Sequence, residues 1–582
     1  MTSLINSQSV RIYDAAPPLA GSACFRPSIT DGTRTAPNLG PLDGRLPSPA
    51  GPLDPGVDPQ TVAASAELEL NDMGNGRRLL NHFGAEILYV REVGWHTYDG
   101  RVWKTEGGDE AVMKYAQRTA KCIHGEADML AMHASELTQL QAAEPLRQLV
   151  EKELTPEQRK VIDEADRVRK HLGRRQADRR KFATSSGNDP HLRAMIRQAS
   201  PHKTVGPKRL DADPMLFNCL SGTLQFREVQ SPDHTGKGWL GSTLEVVQLA
   251  HDRQDYLTKV APVAYDPEAT CPRWLAFMER FQPDASIRQF LQTFHGLALT
   301  GMNGHQSFIY SYGKGANGKS TFMEALGELF GPYSDTLNAE SLSGSGQRRG
   351  DQATPDFADL PGVRYLRVAE LPRGEPLKEA LIKSLTGGDK LKVRHLNKGF
   401  FAFSPSFKAG MSGNDLPQIG GLDDGIWRRV KLVPWAVVIP DKERRPMSEI
   451  LAGFREERAG ILNWLIAGLR IYLAEGLVTP DKVEAATRSY REDMDPIGAF
   501  MADCLEPASG EFEECSAVYA AFAAWCSCNS IRAWHQNMFG RAMSQKGLVR
   551  EKTRIRRYAN VRLHDVPIAA QQPRDAEGMR DR

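Results

Sequence analysis

Nine consecutive residues, Gly313-Lys314-Gly315-Ala316-Asn317-Gly318-Lys319-Ser320-Thr321, have the types and the order that hold a polyphosphate. They fit G-x-x-x-x-G-K-[ST]. Gly313 and Gly318 let the backbone curl through positive φ and bring its N–H groups up to phosphate oxygens. Lys319 supplies a cation for the β- and γ-phosphates, and the Ser320 hydroxyl is a Mg²⁺ ligand. A helix starting here aims the positive end of its dipole at the anion. Gly313, Gly315, Ala316, Asn317, Gly318, Lys319, Ser320 and Thr321 are the expected nucleotide-binding set, with ATP and Mg²⁺ as cofactors.

Binding is not hydrolysis, which also needs an acid at the end of a neighbouring strand. Val363 to Glu370 supplies one: Glu370 would polarise the attacking water and help hold Mg²⁺. A surface glutamate closing an edge strand is the other reading. A third strand, Phe407 to Met411, leads into Ser412-Gly413-Asn414. The Asn414 amide could orient water and sense phosphate loss. Asn414-Asp415-Leu416-Pro417 also suits a turn, and the two roles are compatible. Gly425-Ile426-Trp427-Arg428-Arg429 precedes a strand from Val430 to Trp435. An arginine there could reach the γ-phosphate of a neighbouring subunit, or form a structural ion pair.

These residues need strands and helices to position them. Ser307 to Tyr312 is short, apolar and aromatic, as a buried strand should be. Thr321 to Phe330 places Phe322, Leu326 and Leu329 near helical spacing, with Gly331 as the stop. Further upstream, Glu86 to Val93 and Trp95 to Tyr98 read as strands. Asp99-Gly100 marks a two-residue hairpin between Trp95–Tyr98 and Arg101–Lys104. Residues 109–200 read as mostly helical. Their basic run, Lys170, Arg174, Arg175, Arg179, Arg180 and Lys181, reads as a solvated face, with a DNA contact as the other reading. Ser221-Gly222 marks a second hairpin, between Phe217–Leu220 and Thr223–Phe226. Pro262 to about Gly304 reads as helical.

At 582 residues and 41% hydrophobic content the chain should hold several cores. The fold class expected is multidomain α/β. Residues 1–64 form a flexible Pro/Gly-rich tail and 65–245 an α+β domain. Residues 246–300 are a helical linker or collar, 301–440 the ATPase domain and 441–495 a helical segment. Residues 496–565 are a small C-terminal domain and 566–582 a second flexible tail. No run of about 18 apolar residues is present, so no membrane span or membrane partner is expected. The first residues lack a basic segment followed by an apolar one, which points to the cytoplasm. A net charge of +2 requires any basic surface to be local. The eight cysteines are scattered. Cys526-Ser527-Cys528 with His535 lacks zinc-ribbon spacing, so a buried thiol is expected ahead of a metal site.

The order of these pieces resembles superfamily 3 helicases, and more closely the phage and plasmid primase–helicase family related to poxvirus primase-helicases. The matching stretches are GKGANGKST, RYLRVAEL, KEALIKSLTGGDKLKVRHLNKGFFAFSP, FKAGMSGNDLPQI and DDGIWRRVKLVPW. Upstream, NDMGNGRRLLNHFG, GWHTYDGRVW, MLFNCLSGTLQF and APVAYDPEATCP extend the likeness to roughly residues 65–565. The resemblance implies a replicative DNA helicase of a phage, prophage or plasmid, working in the cytoplasm of a bacterial host. It implies an AAA+-like P-loop core in a homo-hexameric ring that hydrolyses ATP between subunits. The ring would draw single-stranded or forked duplex DNA through its centre, usually 3′ to 5′. On this likeness Lys319 and Ser320 bind phosphates and Mg²⁺, and Glu370 is the hydrolytic acid. Asn414 is the sensor, and Arg429 is the first candidate for the arginine finger, with Arg428 in reserve. Many relatives carry a second acidic or polar residue before the strand-end glutamate. Ala369 stands there, so metal contact from this strand would rest on Glu370.

Residues 389–396 and 400–403 read as strands around a tight turn at Asn397-Lys398-Gly399. In the family a hairpin at this place enters the ring channel. Lys398, with Lys392, Arg394 or His395, would grip DNA phosphates without reading sequence. An ordinary surface hairpin is the other reading. In the last domain, Ser516 could cap a helix with Tyr519, Phe522, Ala523 and Cys526 on one face. A second helix would turn Met538, Phe539, Ala542 and Met543 inward and stop at Gly547. A basic wing with Lys552, Arg554, Arg556 and Arg557 would complete a winged helix that binds DNA or docks protein. Two other functions stay open: a primase or bifunctional primase–helicase, and a non-enzymatic origin-binding or loader protein. A primase needs paired metal-binding carboxylates. Asp211-Ala212-Asp213 is followed by Pro214 and reads as a turn, so priming is expected from a separate primase or polymerase.

Overall fold

The computed structural model describes residues 58–232, 239–344, 355–368, 370, 375–394, 399–420, 424–529, 531, 533–552 and 555–564. Most of both expected tails, and Ala369, His395, Lys398 and Arg554, lie outside the described residues. The chain divides into two compact units. One is residues 58–68 with 121–184; the other is 69–120 with 185–564. No helix among the described residues is long and apolar enough to cross a membrane.

The first unit is helical. Asp58 caps the helix Pro59–Ala66 by accepting from the backbone N–H of Gln60 and Thr61. The long helix Pro156–Ser186 carries the basic run, and half of that run is held by acceptors on its own chain. Arg179 is buried, paired with the buried carboxylate of Glu126, and donates to the Ala66 carbonyl at 2.7 Å. Arg180 pairs with Asp128 at 2.7 Å, and Arg175 donates to the Ala131 carbonyl at 3.2 Å. Lys170, Arg174 and Lys181 are exposed as expected. Acceptors distant in sequence hold the other three; Arg179 is buried, and Arg175 and Arg180 stay half-buried.

The second unit opens with the antiparallel strands Ile87–Val90, Gly94–Tyr98 and Trp103–Lys104. Thr204–Val205 adds in parallel beside Ile87–Val90. The hairpin at Asp99-Gly100 is wider than expected. Tyr98 pairs with Trp103, leaving Asp99–Val102 as a four-residue loop. The Asp99 carboxylate accepts from the N–H of both Arg101 and Val102, and this holds the wider turn closed. Asp211 and Asp213 lie in a turn: Asp211 accepts from Thr258, and Asp213 from the N–H of Met215. The strands Leu216–Cys219, Gly222–Pro232 and Trp239–Leu249 form a meander. Its Phe217, Leu224, Phe226 and Leu244 enter the largest hydrophobic cluster of the protein.

Five parallel strands organise that cluster: β1 (Phe308–Tyr312), β2 (Ser334–Leu337), β3 (Tyr365–Val368), β4 (Lys408–Gly413) and β5 (Val430–Pro434). Their order is β5-β1-β4-β3-β2. A parallel sheet must be covered on both faces, and side chains alternate between them. Ile309, Tyr365 and Val433 accordingly face one cluster, while Phe308, Tyr310, Leu366 and Leu432 face the other. The first cluster is filled from helices α1 (Pro272–Phe281), α2 (Ala285–Leu297), α3 (Lys319–Phe330) and Arg458–Glu475. Trp274, Phe294, Phe322 and Leu465 are its large buried side chains. The helix expected from Pro262 begins only at Pro272. Pro267 would fall inside a helix begun at Pro262 and lacks the N–H an interior needs, whereas Pro272 sits at the first turn, where none is required.

The C-terminal part has its own core of Phe500, Phe522, Trp525, Phe539, Met543 and Tyr558. It comprises the helices Pro496–Cys504, Cys515–Cys528 and Gln536–Gln545 and the strands Leu505–Glu514, Arg550–Lys552 and Arg556–Leu563. The last strand lies between the other two. Ser516 is not a cap: the helix already starts at Cys515, with Glu514 at the cap position. Met538 is exposed, while Phe539, Ala542 and Met543 are buried. Gly547 follows the helix at φ 93°. Cys526 is buried and Cys528 exposed.

Candidate functional site

The residues picked for phosphate chemistry sit where β1 ends and α3 begins. Gly313 (φ 149°), Ala316 (φ 59°) and Gly318 (φ 83°) curl the chain between them. A Cβ at Gly318 would lie 2.9 Å from Phe281 Cγ, so close packing on α1 adds to the conformational demand for glycine. The loop is pinned at two points. The Ala316 carbonyl accepts from the N–H of Ile439 at 2.9 Å, and the Asn317 amide donates to the Trp435 carbonyl, just past β5, at 3.0 Å. Gly318 offers no side-chain cap to α3, which leaves its first-turn N–H groups suited to an anionic acceptor. Ser320 is exposed on that first turn, Thr321 is half-buried, and Gly315 faces open space.

Lys319 is 5% exposed and turned inward. Its ammonium donates to the Gly313 carbonyl at 2.5 Å, to Asn317 Oδ1 at 3.1 Å and to Asn414 Oδ1 at 3.4 Å. Burial pushes its pKa down, and the Glu370 carboxylate opposes that shift. Glu370, two residues past β3, accepts from the backbone N–H of Asn414 at 3.1 Å. Asn414, just past β4, thus touches Lys319 with its side chain and Glu370 with its backbone. Lys319, Glu370 and Asn414 meet at the C-terminal edge of the sheet, where ligands of open parallel sheets bind. The chemistry of the set fits a Mg²⁺-nucleotide. It offers an ammonium held only by neutral oxygens, uncapped helix N–H groups, and the hard oxygen ligands of Ser320 and Glu370.

The two arginines lie elsewhere. Arg429 directly precedes β5 and Gln306 nearly precedes β1, so both stand at the opposite, N-terminal edge of the sheet. Arg429 is 7% exposed. It donates to Thr386 Oγ1 at 3.1 Å, the Gly425 carbonyl at 2.6 Å and Gln306 Oε1 at 2.7 Å. Arg428 is exposed and also donates to Gln306 Oε1, at 3.1 Å. Sequence reasoning passed over Gln306 and Thr386 because no spacing rule links either to an arginine more than 40 residues away.

The hairpin of Leu391–Val393 and Phe401–Phe403 is formed. Lys392 and Arg394 lie 4.9 and 4.8 Å from the Phe400 ring centroid, which gathers two cations at its base. In the C-terminal sheet Lys552 and Arg556 are cross-strand partners, and Arg556 is exposed. The 391–403 hairpin and the C-terminal strands therefore lie in different parts of the chain from the Lys319 cluster.

Residues 76–283 match the family model described as D5 N terminal like. The chain is 32% identical over 248 residues to the protein named "Putative helicase L207/L206" of Acanthamoeba polyphaga mimivirus, covering 39% of this chain and 25% of that protein. It is 28% identical over 272 residues to "Putative helicase 022R" of Frog virus 3 (isolate Goorha), covering 44% of this chain and 28% of that protein. The chain thus spans between 25% and 28% of the length of these two curated relatives. Among solved structures it is similar to the apo NrS-1 C-terminal region, at 10% identity and a TM-score of 0.31, covering 60% of this chain and 96% of that one. The expected resemblance therefore holds: this chain carries the D5 N-terminal-like region of the primase–helicase family and is a relative of viral proteins named as helicases.

Proposed function

We propose that this chain is an ATP-dependent replicative DNA helicase of a phage, prophage or plasmid. In this reading an AAA+-like P-loop core, assembled as a homo-hexameric ring, moves single-stranded DNA through its channel and opens a forked duplex. One observation carries the reading: Lys319, at the start of α3 beyond the glycine-curled loop, bonds the Asn414 amide past β4, and the Asn414 backbone bonds the Glu370 carboxylate past β3. A loop alone would bind nucleotide. The carboxylate beside it, steered by the Asn414 backbone, adds a group able to polarise water. The Asn414 amide adds a contact that would change when the lysine engages phosphate. Mg²⁺ held at Ser320 and Glu370 would neutralise phosphate charge. The basic hairpin at 391–403 and a winged-helix role for 496–565 supply sequence-blind DNA contacts.

Strand release from a labelled forked duplex tests this. Lys319→Ala should lose ATP hydrolysis and strand release together. Glu370→Gln should still bind nucleotide but hydrolyse it roughly 10²–10⁴-fold more slowly. Undiminished hydrolysis in Glu370→Gln would refute the choice of acid. Oligonucleotide synthesis from nucleoside triphosphates on a single-stranded template would replace the helicase reading with the primase one. DNA binding without hydrolysis in the wild type would make it a loader.

A further inference from the structure

We propose that Tyr310 and Tyr490 are positioning residues for hydrolysis: their hydroxyl groups hold the turn after β4 and so set where Asn414 meets Lys319 and Glu370. This role rests on the ATPase reading above. It adds a helix, Asp481–Asp493, that none of the nucleotide-site motifs includes.

Asn414 makes two contacts that depend on the path of its backbone. Its N–H donates to Glu370 at 3.1 Å, and its amide oxygen accepts from Lys319 at 3.4 Å. The second distance is long for a hydrogen bond, so a small drift of the turn would break it. Two carbonyls of the same turn are taken by phenol hydroxyls. Tyr310, in β1, donates to the Asp415 carbonyl at 2.6 Å. Tyr490, in the helix Asp481–Asp493, donates to the Pro417 carbonyl. The first anchor is the residue next to Asn414, and the second stops the far end of the turn from swinging.

Both phenols are built into the core, each 2% exposed. Gly413 clears the way for Tyr310: a Cβ there would lie 2.1 Å from its hydroxyl oxygen. Any side chain at 413 would push that hydroxyl off the Asp415 carbonyl. Tyr490 packs edge-on against Trp427, with ring centroids 5.3 Å apart. Its helix is fixed along β5 by the Thr487 hydroxyl, which accepts from the N–H of Leu432 at 3.1 Å, and by the Arg491–Asp424 pair at 2.5 Å. Burial pushes the pKa of both phenols up, and the Glu370 carboxylate adds to the effect on Tyr310. Both therefore stay protonated, as donors must. The two hydroxyls reach across 105 and 73 residues of sequence to carbonyls two residues apart. The buried hydroxyl of Tyr365, by contrast, has no hydrogen-bond partner among the described residues.

Steady-state ATP hydrolysis, equilibrium binding of Mg²⁺-ATP and thermal unfolding of full-length variants test this. Tyr310→Phe and Tyr490→Phe each remove one oxygen and leave the ring in place. Each should lower kcat about tenfold, the effect of one lost hydrogen bond. ATP affinity should hold, because the 313–321 loop is untouched. The double variant should lose roughly 10²-fold. Tyr365→Phe should keep the wild-type kcat. In an Asn414→Ala background each phenylalanine should cost less than in the wild type, because the amide it helps to place is already gone. Wild-type kcat in either single variant, or losses of equal size with and without the Asn414 amide, overturns the proposal while leaving the ATPase reading standing. A fall in kcat matched by falls in ATP affinity and Tm also overturns it, because the tyrosines would then be core packing alone. A wild type that hydrolyses no ATP brings down both readings together.

Discussion

Replacing His295 with leucine should remove an acid sensitivity built into the core between α2, α3 and β3. His295 lies in α2, 1% exposed. It packs edge-on against Phe322 of α3 and Tyr365 of β3, with ring centroids at 5.0 and 5.4 Å. Its Nδ1–H donates to the Leu291 carbonyl at 2.8 Å. Burial pushes its pKa from 6.5 down to about 4, because a cation there would lose its water and gain only a backbone carbonyl. Between those two values the unfolded chain binds the proton and the folded chain does not. The stabilisation is therefore complete above the unfolded pKa and shrinks as the pH falls toward the folded one. From the two values, about 2 kcal/mol is lost on going from pH 8 to pH 5. For a cooperative unit of 150–250 residues that is a drop of roughly 4–8 °C in Tm. The assay is thermal unfolding followed by tryptophan fluorescence, since Trp274 and Trp435 lie in the same cluster. Whatever the absolute Tm of His295→Leu, its pH slope between 8 and 5 should be shallower by that amount. Parallel slopes in the two proteins would refute the argument.

Two further perturbations probe the other packing claims. Arg179→Met removes the guanidinium paired with the fully buried Glu126 and should destabilise the helical unit by roughly 3–5 kcal/mol, read as lost amide-exchange protection. Lys181→Met on the same exposed stretch should change little. Gly318→Ala forces a Cβ into φ 83° and to within 2.9 Å of Phe281 Cγ, which should cost roughly 2–4 kcal/mol in Tm measurements and weaken nucleotide binding. Gly315→Ala, with no atom within 4 Å of the added carbon, should leave Tm unchanged.

Much of the candidate site was legible because the residues that build it are local. A curl that needs glycine at 313 and 318, a lysine on the first helical turn and an apolar strand before it all fall within 20 residues. Glu370 and Asn414 were legible because each follows a short apolar strand, and parallel strands bring their ends to one edge. What the sequence did not carry is the contact between them: the backbone of Asn414 on Glu370 and its amide on Lys319. The helix beginning at Pro272 rather than Pro262 could have been found, since Pro267 would fall in the interior of the earlier helix. The Asp99–Val102 loop could not be sized by dipeptide statistics, because the Asp99 side chain supplies two hydrogen bonds that a two-residue turn does not need.

Arginine shows where reading by type stops. Arg179 and Lys181 stand two residues apart on one helix, and Arg428 and Arg429 are adjacent. In each case one member is buried and the other is in water, and charge patterning gives no reason for the difference. The partners decide. Glu126 and the Ala66 carbonyl capture Arg179; Thr386, Gly425 and Gln306 capture Arg429. A guanidinium taken out of water needs most of its donors met, so a site able to bury one leaves it unable to reach a ligand. At this sheet edge the arginine its own chain satisfies less is Arg428, whose side chain donates, among the described residues, to Gln306 Oε1.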